Sequence, residues 1–270
     1  MDASEKRLKL ERIFRDIGKA LVAFSGGVDS TFLLNAAVEA LGAENVLAVT
    51  ARSATYPQSE LEEARQMAKA LGVPHEEVDS EELQVEQFAQ NPPDRCYYCK
   101  KELFSKLIDV AHRRGYNAVV DGTNADDTRD HRPGRKAARE LGIRSPLLEA
   151  GITKDEIRSL SRKMGLSTWN KGAFACLASR FPYGDTITKE KLRWVGQAEE
   201  VLRKAGFRQF RVRHHGTVAR IEVAPEEMPR FHDARFAAQI ARDLKKLGYT
   251  YVALDLEGYR TGSMNEMFDR

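Results

Sequence analysis

A chain of 270 residues, 42% hydrophobic and 31% charged, can bury a sizeable core in one large or two modest domains. Its formal net charge of +3 is too small to indicate nucleic acid, and no apolar run approaches the roughly 20 residues of a membrane span. Because three cysteines occur without a secretion signal, we expect a cytoplasmic protein whose thiols act as ligands or reactive groups rather than as disulfides.

Helix-like and strand-like segments alternate through the first two-thirds of the chain. The N-terminal segment is patterned as a helix with one apolar face formed by Leu8, Leu10, Ile13, Phe14 and Ile17. Beyond it, the pattern predicts strands at 20–24, 46–49, 74–78 and 118–120, and helices at 31–41, 59–71 and 100–114. This alternation is typical of an α/β fold with a parallel sheet, helices on both faces, and ligands bound beyond the carboxyl ends of the strands.

The pattern changes in the last third of the chain. A capping box at Thr153–Glu156 predicts a helix that ends near Met164, and an irregular stretch follows. We then expect helices at 188–205 and 233–247, a hairpin formed by 207–214 and 218–223, and a strand at 251–256. The sequence therefore predicts an α/β domain at 1–179 and a smaller α+β domain, for substrate binding or oligomerisation, at 180–270.

The loop between the first strand and the following helix reads Ser25-Gly26-Gly27-Val28-Asp29-Ser30. Adjacent glycines let the backbone approach an anion, the helix N-terminus favours negative charge, and the two serines can donate to phosphate oxygens. Asp29 can hold a divalent cation. The loop lacks the spacing and the lysine of a Walker A motif, so it predicts a different kind of phosphate site. An ordinary glycine-rich turn is the alternative.

A C-x-x-C motif, Cys96-Tyr97-Tyr98-Cys99, places two sulfurs close enough to share a metal or to form a redox pair. It precedes a predicted helix, whose N-terminus favours the thiolate. A zinc site usually needs four ligands, and the chain has one further cysteine, Cys176. Three thiolates can hold a four-iron four-sulfur cluster with one iron left open. Three small buried residues are the alternative.

Four motifs together carry a resemblance that runs over nearly the whole chain. The hexapeptide at Ser25 resembles the PP-loop of the ATP pyrophosphatases; the others are D-G-T-N-A-D-D from Asp121, H-R-P-G-R-K-A from His131 and A-C-L-A-S-R from Ala175. In this order they resemble the LarE family, sulfur transferases that help to build the nickel-pincer nucleotide cofactor of lactate racemase. The resemblance implies an adenine nucleotide α-hydrolase-like fold, ATP and Mg²⁺ as cofactors, a mononucleotide substrate, and a homo-oligomer that is a trimer or hexamer.

The same resemblance implies a reaction. ATP activates a carboxylate of pyridinium biscarboxylic acid mononucleotide as an adenylate, and sulfur then replaces AMP to give a thiocarboxylate. In one branch of the family, the cysteine matching Cys176 gives up its own sulfur and becomes dehydroalanine. In the other, three cysteines hold a four-iron four-sulfur cluster that carries an expendable sulfide. Cys96, Cys99 and Cys176 fit the second branch better, since C-x-x-C has no purpose in the first.

Further candidate site residues flank these motifs. Cys176 lies at the chemistry in both branches, Lys101 can stabilise charge that builds on the α-phosphate, and Arg180 can contact the substrate. The strand ends that border the nucleotide in PP-loop proteins match Arg52, Gly122, Thr123 and Asn124. Solvated helix residues and plain loops are the alternatives at these positions.

Arg211 and Arg213 alternate with apolar residues, so they share the outward face of one predicted strand. Arg220 and Glu222 lie on the like face of the next strand. The pattern indicates either a cross-strand ladder of charges or a phosphate site for the mononucleotide, because the guanidinium fork suits phosphate oxygens.

Other functions fit parts of the sequence. A tRNA thiolase also joins a PP-loop to C-x-x-C, a further cysteine and a cluster, but it would need a broad basic face for RNA. Amide synthesis with ammonia leaves the cysteines unexplained, and an ATP-sensing module would bind nucleotide without turnover. We expect neither a membrane nor a nucleic acid as partner.

Overall fold

The structure is a computed structural model that describes residues 2–128, 133–172, 175–260 and 263–264. His131 and Arg132 of the third motif lie outside the described residues, as do Ala173 and Phe174 ahead of Cys176.

Contacts between residues divide the chain into two compact units. One is formed by Met1–Phe88 and Asp94–Phe174, and the other by Ala89–Pro93 and Ala175–Arg270. Cys176 therefore belongs to the second unit, whereas the C-x-x-C motif belongs to the first. Separate domains at 1–179 and 180–270 stay a prediction, and the contacts assign residues 175–179 to the second unit.

The first unit is built on a four-stranded parallel sheet. Its strands, in the spatial order β3-β2-β1-β4, are β1 (Ala20–Ala23), β2 (Val46–Arg52), β3 (His75–Asp79) and β4 (Ala118–Val120). The longer described helices around it are α1 (Ala3–Ile17), α2 (Val28–Leu41), α3 (Gln58–Ala70), α5 (Arg95–Arg114) and α8 (Lys154–Lys163). Shorter ones are α4 (Glu86–Ala89), α6 (Pro133–Glu140) and α7 (Pro146–Ala150). The predicted parallel α/β fold is confirmed.

At strand β1 the order in which successive strands are added changes from one side of the sheet to the other. Strand β1 pairs with β2 on one side, where Ala20 faces Val46, and with β4 on the other, where Ala20 faces Ala118. In open α/β sheets, ligands bind outside the carboxyl ends of the strands at such a switch point. The loops that follow β1 and β4 border it here.

Apolar side chains cover both faces of this sheet. Val22 packs into a cluster with Phe14 and Phe32 from α1 and α2, whereas Leu21 packs into a cluster with Phe104 and Leu107 from α5. Strands that are buried on both faces read as continuous apolar runs, because neither side-chain direction meets water. The run at 20–24 has this pattern, which is why the sequence predicts it.

Two details of the first unit differ from the sequence prediction. Leu8 is 52% exposed, because it lies two positions from Leu10, about 200° around the helix, on the face away from the core. Helix α5 begins at Arg95 rather than at residue 100, with its first turn started by the bond from the Tyr97 N–H to the Asp94 carbonyl oxygen. The C-x-x-C motif therefore lies within the helix and not ahead of it.

The second unit contains a smaller, mixed sheet. Its elements are α9 (Lys189–Lys204), β5 (Phe210–His215), β6 (Val218–Val223), α10 (Ala234–Lys246) and β7 (Tyr251–Leu254). The predicted hairpin is confirmed, since β5 and β6 pair antiparallel. Strand β7 pairs parallel with β6, on the side of β6 away from β5. None of the described helices in either unit is both long and apolar enough to cross a lipid bilayer.

Candidate active site

The motif Ser25–Ser30 joins β1 to α2 at the carboxyl edge of the parallel sheet, and its last three residues form the first turn of the helix. Gly27 is the N-cap of α2, and no side chain in the described structure caps this end of the helix. The first N–H groups of an α-helix have no acceptor within the helix, and the helix dipole is positive there. An uncapped N-terminus therefore offers several donors and a favourable potential to a phosphate group.

Gly26 is the position in this loop that requires glycine. Its φ is +64°, and a Cβ at this position would lie 3.2 Å from the Cα and Cβ atoms of Ala64 on α3. Residues with a side chain rarely adopt this backbone conformation, and the approach to α3 leaves little room for one. The loop is thus held against α3 by close backbone packing.

The two serine hydroxyls of the loop lie 3.1 Å apart. Ser30 Oγ accepts from the Ser25 N–H and donates to the Gly27 carbonyl oxygen, both at 3.3 Å. Ser30 is buried, whereas Ser25 is exposed. Ser30 therefore closes the loop internally, and the Ser25 hydroxyl faces outward, where it can donate to a phosphate oxygen.

Asp29, in the first turn of α2, has a cationic partner that the sequence did not reveal. Its Oδ2 accepts from Lys154 Nζ at 2.5 Å, and its Oδ1 accepts from Asn124 Nδ2 at 3.4 Å. Lys154 is the first residue of α8, fixed by the capping box of Thr153, which the structure confirms. No motif in the sequence links Lys154 to Asp29. The only local feature that marks Lys154 is its position at the start of a predicted helix. It supplies the ammonium that the loop motif lacks.

The segment after β4 packs against this loop. A Cβ on Gly122 would lie 3.1 Å from the backbone nitrogen of Ser30, so glycine allows the two chain segments to approach closely. Thr123 donates to the Asp121 carboxylate from its N–H at 3.2 Å and from its hydroxyl at 2.7 Å. The structure thus brings Gly122 and Asn124 to the phosphate loop.

Arg52 ends β2 at the same edge of the sheet. Its guanidinium donates to both carboxylate oxygens of Asp79, at 2.6 and 2.8 Å, and is 56% exposed. This hydrogen bonding raises the pKa of Arg52 and lowers the pKa of Asp79. Because water surrounds both partners and screens their charges, the pair holds Arg52 only weakly.

Cys96 and Cys99 lie in the first two turns of α5, three positions apart and hence on one face of the helix. Cys96 is exposed and Cys99 is partly exposed, so the alternative of buried residues is wrong for them. Lys101, also exposed, has its Nζ 5.6 Å from the centre of the Tyr97 ring. Among the described residues, no three His, Cys, Asp or Glu side chains meet as ligands of a metal ion.

Cys176 is exposed and stands directly before a short 3-10 helix, Leu177–Arg180, in the second unit. Arg180 is 1% exposed and donates to both carboxylate oxygens of Glu199, at 2.7 and 3.0 Å. Its Nη1 donates to the carbonyl oxygens of Ala175 and Cys176, at 2.9 and 3.3 Å. In this arrangement Arg180 anchors the backbone at Cys176. Arg180 also lines a pocket of the second unit, and its contact with a substrate stays a prediction.

The face of β5 that carries Arg211 and Arg213 does not point freely outward as the sequence suggested. Arg213 is 8% exposed, donates to Glu222 from two nitrogens at 2.9 Å, and donates to the Ser179 carbonyl oxygen at 2.7 Å. Arg211 lies over the ring of Tyr259 at 5.1 Å. Strand alternation shows which side chains share a face, but not which other segments cover that face.

A pocket of 160 Å³ opens on this side of the second unit. Its basic lining residues are Arg180, Arg213, His215 and Arg220. The Nε of Arg220 is buried and has no hydrogen-bond partner in the described part of the chain, although another nitrogen of Arg220 donates to Glu222 at 3.0 Å. The predicted ladder of charges is therefore present, and its arginines are paired with carboxylates: Arg180 with Glu199, Arg213 with Glu222, and Arg220 with Glu222 and Asp255.

Comparisons with known proteins bear on the function. The family described as NAD synthase matches residues 7–106. The chain is 41% identical over 261 residues to the pyridinium-3,5-bisthiocarboxylic acid mononucleotide synthase of Lactiplantibacillus plantarum, covering 97% of this chain and 94% of that protein. It is 44% identical over 261 residues to the uncharacterized protein slr1717 of Synechocystis sp., covering 97% of each. The tRNA-specific 2-thiouridylase MnmA of Beijerinckia indica is 26% identical over 211 residues, or 63% of this chain and 48% of that protein.

We predict that Gly26→Ala weakens ATP binding by about tenfold or more, because the new side chain strains the backbone and pushes the loop away from Ala64. Gly165→Ala is the matched control: Gly165 also has a positive φ, +72°, but a Cβ there would have no described atom within 4 Å. Isothermal titration calorimetry measures both affinities. Equal affinities of the two variants would contradict the importance of the close packing at Gly26.

Proposed function

This chain belongs to the LarE family of PP-loop ATP pyrophosphatases, and from that membership we propose that it converts the carboxylates of pyridinium biscarboxylic acid mononucleotide into thiocarboxylates. Identity of 41% to the Lactiplantibacillus plantarum synthase over 97% of the chain supports the reaction class. The chain is accordingly an ATP-using sulfur transferase. Its proposed product, formed in two rounds, is the dithio mononucleotide from which the nickel-pincer cofactor of lactate racemase is built.

The observation that carries the proposal is the uncapped N-terminus of α2 beside Asp29 and Lys154. It offers backbone N–H donors and positive charge at the switch point of the sheet, where a nucleotide phosphate chain fits. The N–H groups and Ser25 would hold the β- and γ-phosphates. The carboxylate of Asp29 fits Mg²⁺, which prefers oxygen ligands and would neutralise charge on the phosphates.

The first step is adenylation. A carboxylate oxygen of the substrate forms a bond to the α-phosphorus, while the bond from that phosphorus to the bridging oxygen breaks and pyrophosphate leaves with the electron pair. Positive charge near the loop stabilises the charge that builds on these oxygens. Lys154 supplies this positive charge beside Asp29, and Lys101 of α5 is a further proposed source of it.

The second step replaces oxygen by sulfur. A sulfur nucleophile forms a bond to the acyl carbon, the carbon–oxygen bond to the phosphate breaks, and AMP leaves with that oxygen. Cys176 is the proposed residue at this chemistry, and its exposure supports access to a substrate. We propose Arg180 as a positioning residue for Cys176, because it donates to the Cys176 carbonyl oxygen.

We assign Cys96, Cys99 and Cys176 as thiolate ligands of a four-iron four-sulfur cluster. The donor set fits such a group, since all three thiols are at least partly exposed and the C-x-x-C pair shares one face of α5. Held by three thiolates, such a cluster would keep one iron open, and this iron would supply a sulfide. A reducing cytoplasm, which we propose as the location, keeps the thiols available.

Arg211 and Arg213 are proposed to bind the phosphate of the mononucleotide, together with Arg220 at the 160 Å³ pocket. Burial, and then the nearby charge of Arg180, lowers the pKa of Arg211. A phosphate placed beside this guanidinium would stabilise its charged form. Arg52, Gly122, Thr123 and Asn124 are proposed nucleotide contacts at the strand ends. By family likeness we also propose a homo-oligomer, a trimer or hexamer.

Pyrophosphate release is expected to depend on pyridinium biscarboxylic acid mononucleotide, and Asp29→Asn is expected to lower its rate by about 10²-fold, because the carboxylate that would hold Mg²⁺ beside the phosphates is lost. Asp109→Asn, at an exposed position of α5, is the control. A coupled assay for pyrophosphate measures both. Stimulation by tRNA and not by the mononucleotide would favour the thiolase alternative, and nucleotide binding without turnover would favour a sensing module.

Anaerobic reconstitution with iron and sulfide is expected to give broad visible absorption, which Cys99→Ala removes because a ligand is lost. Intact mass spectrometry after turnover is the companion measurement, and residue 176 is expected to keep its mass. If that residue becomes lighter by one hydrogen sulfide and no absorption develops in the wild-type protein, Cys176 itself is the sulfur donor and the cluster assignment is wrong.

A further inference from the structure

Two side chains outside the PP-loop motif donate hydrogen bonds to the backbone of the loop. The Tyr56 hydroxyl donates to the Ser25 carbonyl oxygen, and Lys171 Nζ donates to the Gly26 carbonyl oxygen at 3.3 Å. Tyr56 follows β2, and Lys171 follows the 3-10 helix Ser167–Asn170, so they come from distant parts of the sequence. Neither was singled out by any sequence motif.

Because peptide bonds are planar, these two hydrogen bonds also fix the direction of neighbouring N–H groups in the loop. All peptide bonds of the described residues are trans, and in a planar trans peptide the carbonyl oxygen and the N–H point in opposite directions. A donor that fixes the Ser25 carbonyl therefore fixes the Gly26 N–H towards the other side. In the same way, a donor on the Gly26 carbonyl fixes the direction of the Gly27 N–H.

Helix α3 holds the lysine in place. Lys171 Nζ lies 2.7 Å from a carboxylate oxygen of Glu60 and 2.7 Å from one of Glu63, and its side chain is 18% exposed. Burial opposes the charge of Lys171, but the hydrogen bonds to Glu60 and Glu63 outweigh it and raise the pKa of the ammonium. Lys171 is thus protonated and able to donate near neutral pH.

The backbone that carries Lys171 is anchored in turn to α8. Arg158 donates to the carbonyl oxygens of Trp169 at 2.7 Å and Lys171 at 3.0 Å. Arg158 lies four positions after Lys154, the residue that contacts Asp29. One short helix therefore fixes both lysines that reach the loop, one directly and the other through its backbone.

We propose that Tyr56 and Lys171 are positioning residues of the ATP site, which hold the Ser25 and Gly26 carbonyls so that the N–H groups of Gly26 and Gly27 face the β- and γ-phosphates. This inference rests on the proposed function, because it assumes that the loop binds ATP. Lys171 has a second effect: it neutralises part of the charge of Glu60 and Glu63, which would otherwise repel the phosphates beside the loop.

The test compares nucleotides that differ in the phosphates the loop would hold. Lys171→Met is expected to raise the Kd for ATP and for pyrophosphate by about tenfold, since both an oriented donor and a neutralising charge are lost. Its Kd for AMP, which has no β- or γ-phosphate, is expected to stay unchanged. Tyr56→Phe is expected to show the same selectivity with a smaller loss, of about threefold, because only a hydrogen bond is removed.

Lys69→Met is the matched control, since Lys69 is an exposed lysine of α3. Lys171→Arg is expected to recover most of the affinity, because a guanidinium can donate to the same carbonyl. Calorimetry gives the three affinities, and thermal unfolding checks that all variants are folded. To separate orientation from charge, Glu63→Gln is added to Lys171→Met, which restores the net charge of the wild type. If Lys171 orients the loop, the affinity of this double variant for ATP stays below that of the wild type.

Three results would overturn the proposal. An equal loss of affinity for AMP and for ATP in Lys171→Met would show a general structural role, and affinities equal to those of Lys69→Met would show no role at all. Full recovery of ATP affinity in the variant that combines Lys171→Met with Glu63→Gln would assign the whole effect to repulsion. If the wild-type protein binds neither ATP nor pyrophosphate, the proposed function itself fails, and this inference fails with it.

Discussion

The rest of the site depends on the N-terminus of α2, which no side chain caps in the described structure. Helix ends need acceptors for their first N–H groups, and a phosphate supplies them where a capping side chain does not. The parallel sheet directs this helix end to the switch point between β1 and β4. Gly26 and Gly122 then allow α3 and the segment after β4 to pack closely around the loop.

Positive charge reaches this loop from outside the motif. A Walker A loop carries its own lysine, whereas here Lys154 is brought to Asp29 by the capped start of α8. The same helix anchors the backbone of Lys171 through Arg158. Because Ile157 of α8 is fully buried, the helix is held firmly by the core on its inner side. Core packing of one helix thus sets the electrostatics of the phosphate site.

The sequence was sufficient to predict the parallel sheet, because apolar runs such as 20–24 are continuous only when both faces of a strand are buried. The phosphate loop could also be predicted, since its glycines, serines and aspartate are consecutive. Lys154 and Lys171 could not, because their contacts to Asp29 and Gly26 span 125 and 145 positions of the chain and leave no local pattern. Such contacts are decided by how whole helices pack.

Errors in the sequence prediction have similar causes. Leu8 is apolar but lies on the wrong face of α1, and only its angular position relative to Leu10 reveals this. Alternation placed Arg211 and Arg213 on one face of β5 correctly, yet it gave no sign that Ser179 and Tyr259 contact them there. The spacing of Cys96 and Cys99 indicated that they share a metal or cluster or form a redox pair, and this stays a prediction.

The central claim is that ATP is split at the α-phosphate by a substrate carboxylate, so that sulfur can take the place of oxygen. The most direct test labels the carboxylates of pyridinium biscarboxylic acid mononucleotide with oxygen-18 and follows the label by mass spectrometry during turnover. We expect the label to appear in AMP and pyrophosphate to stay unlabelled. Label in pyrophosphate or inorganic phosphate, or unlabelled AMP formed together with the thiocarboxylate product, would contradict the claim.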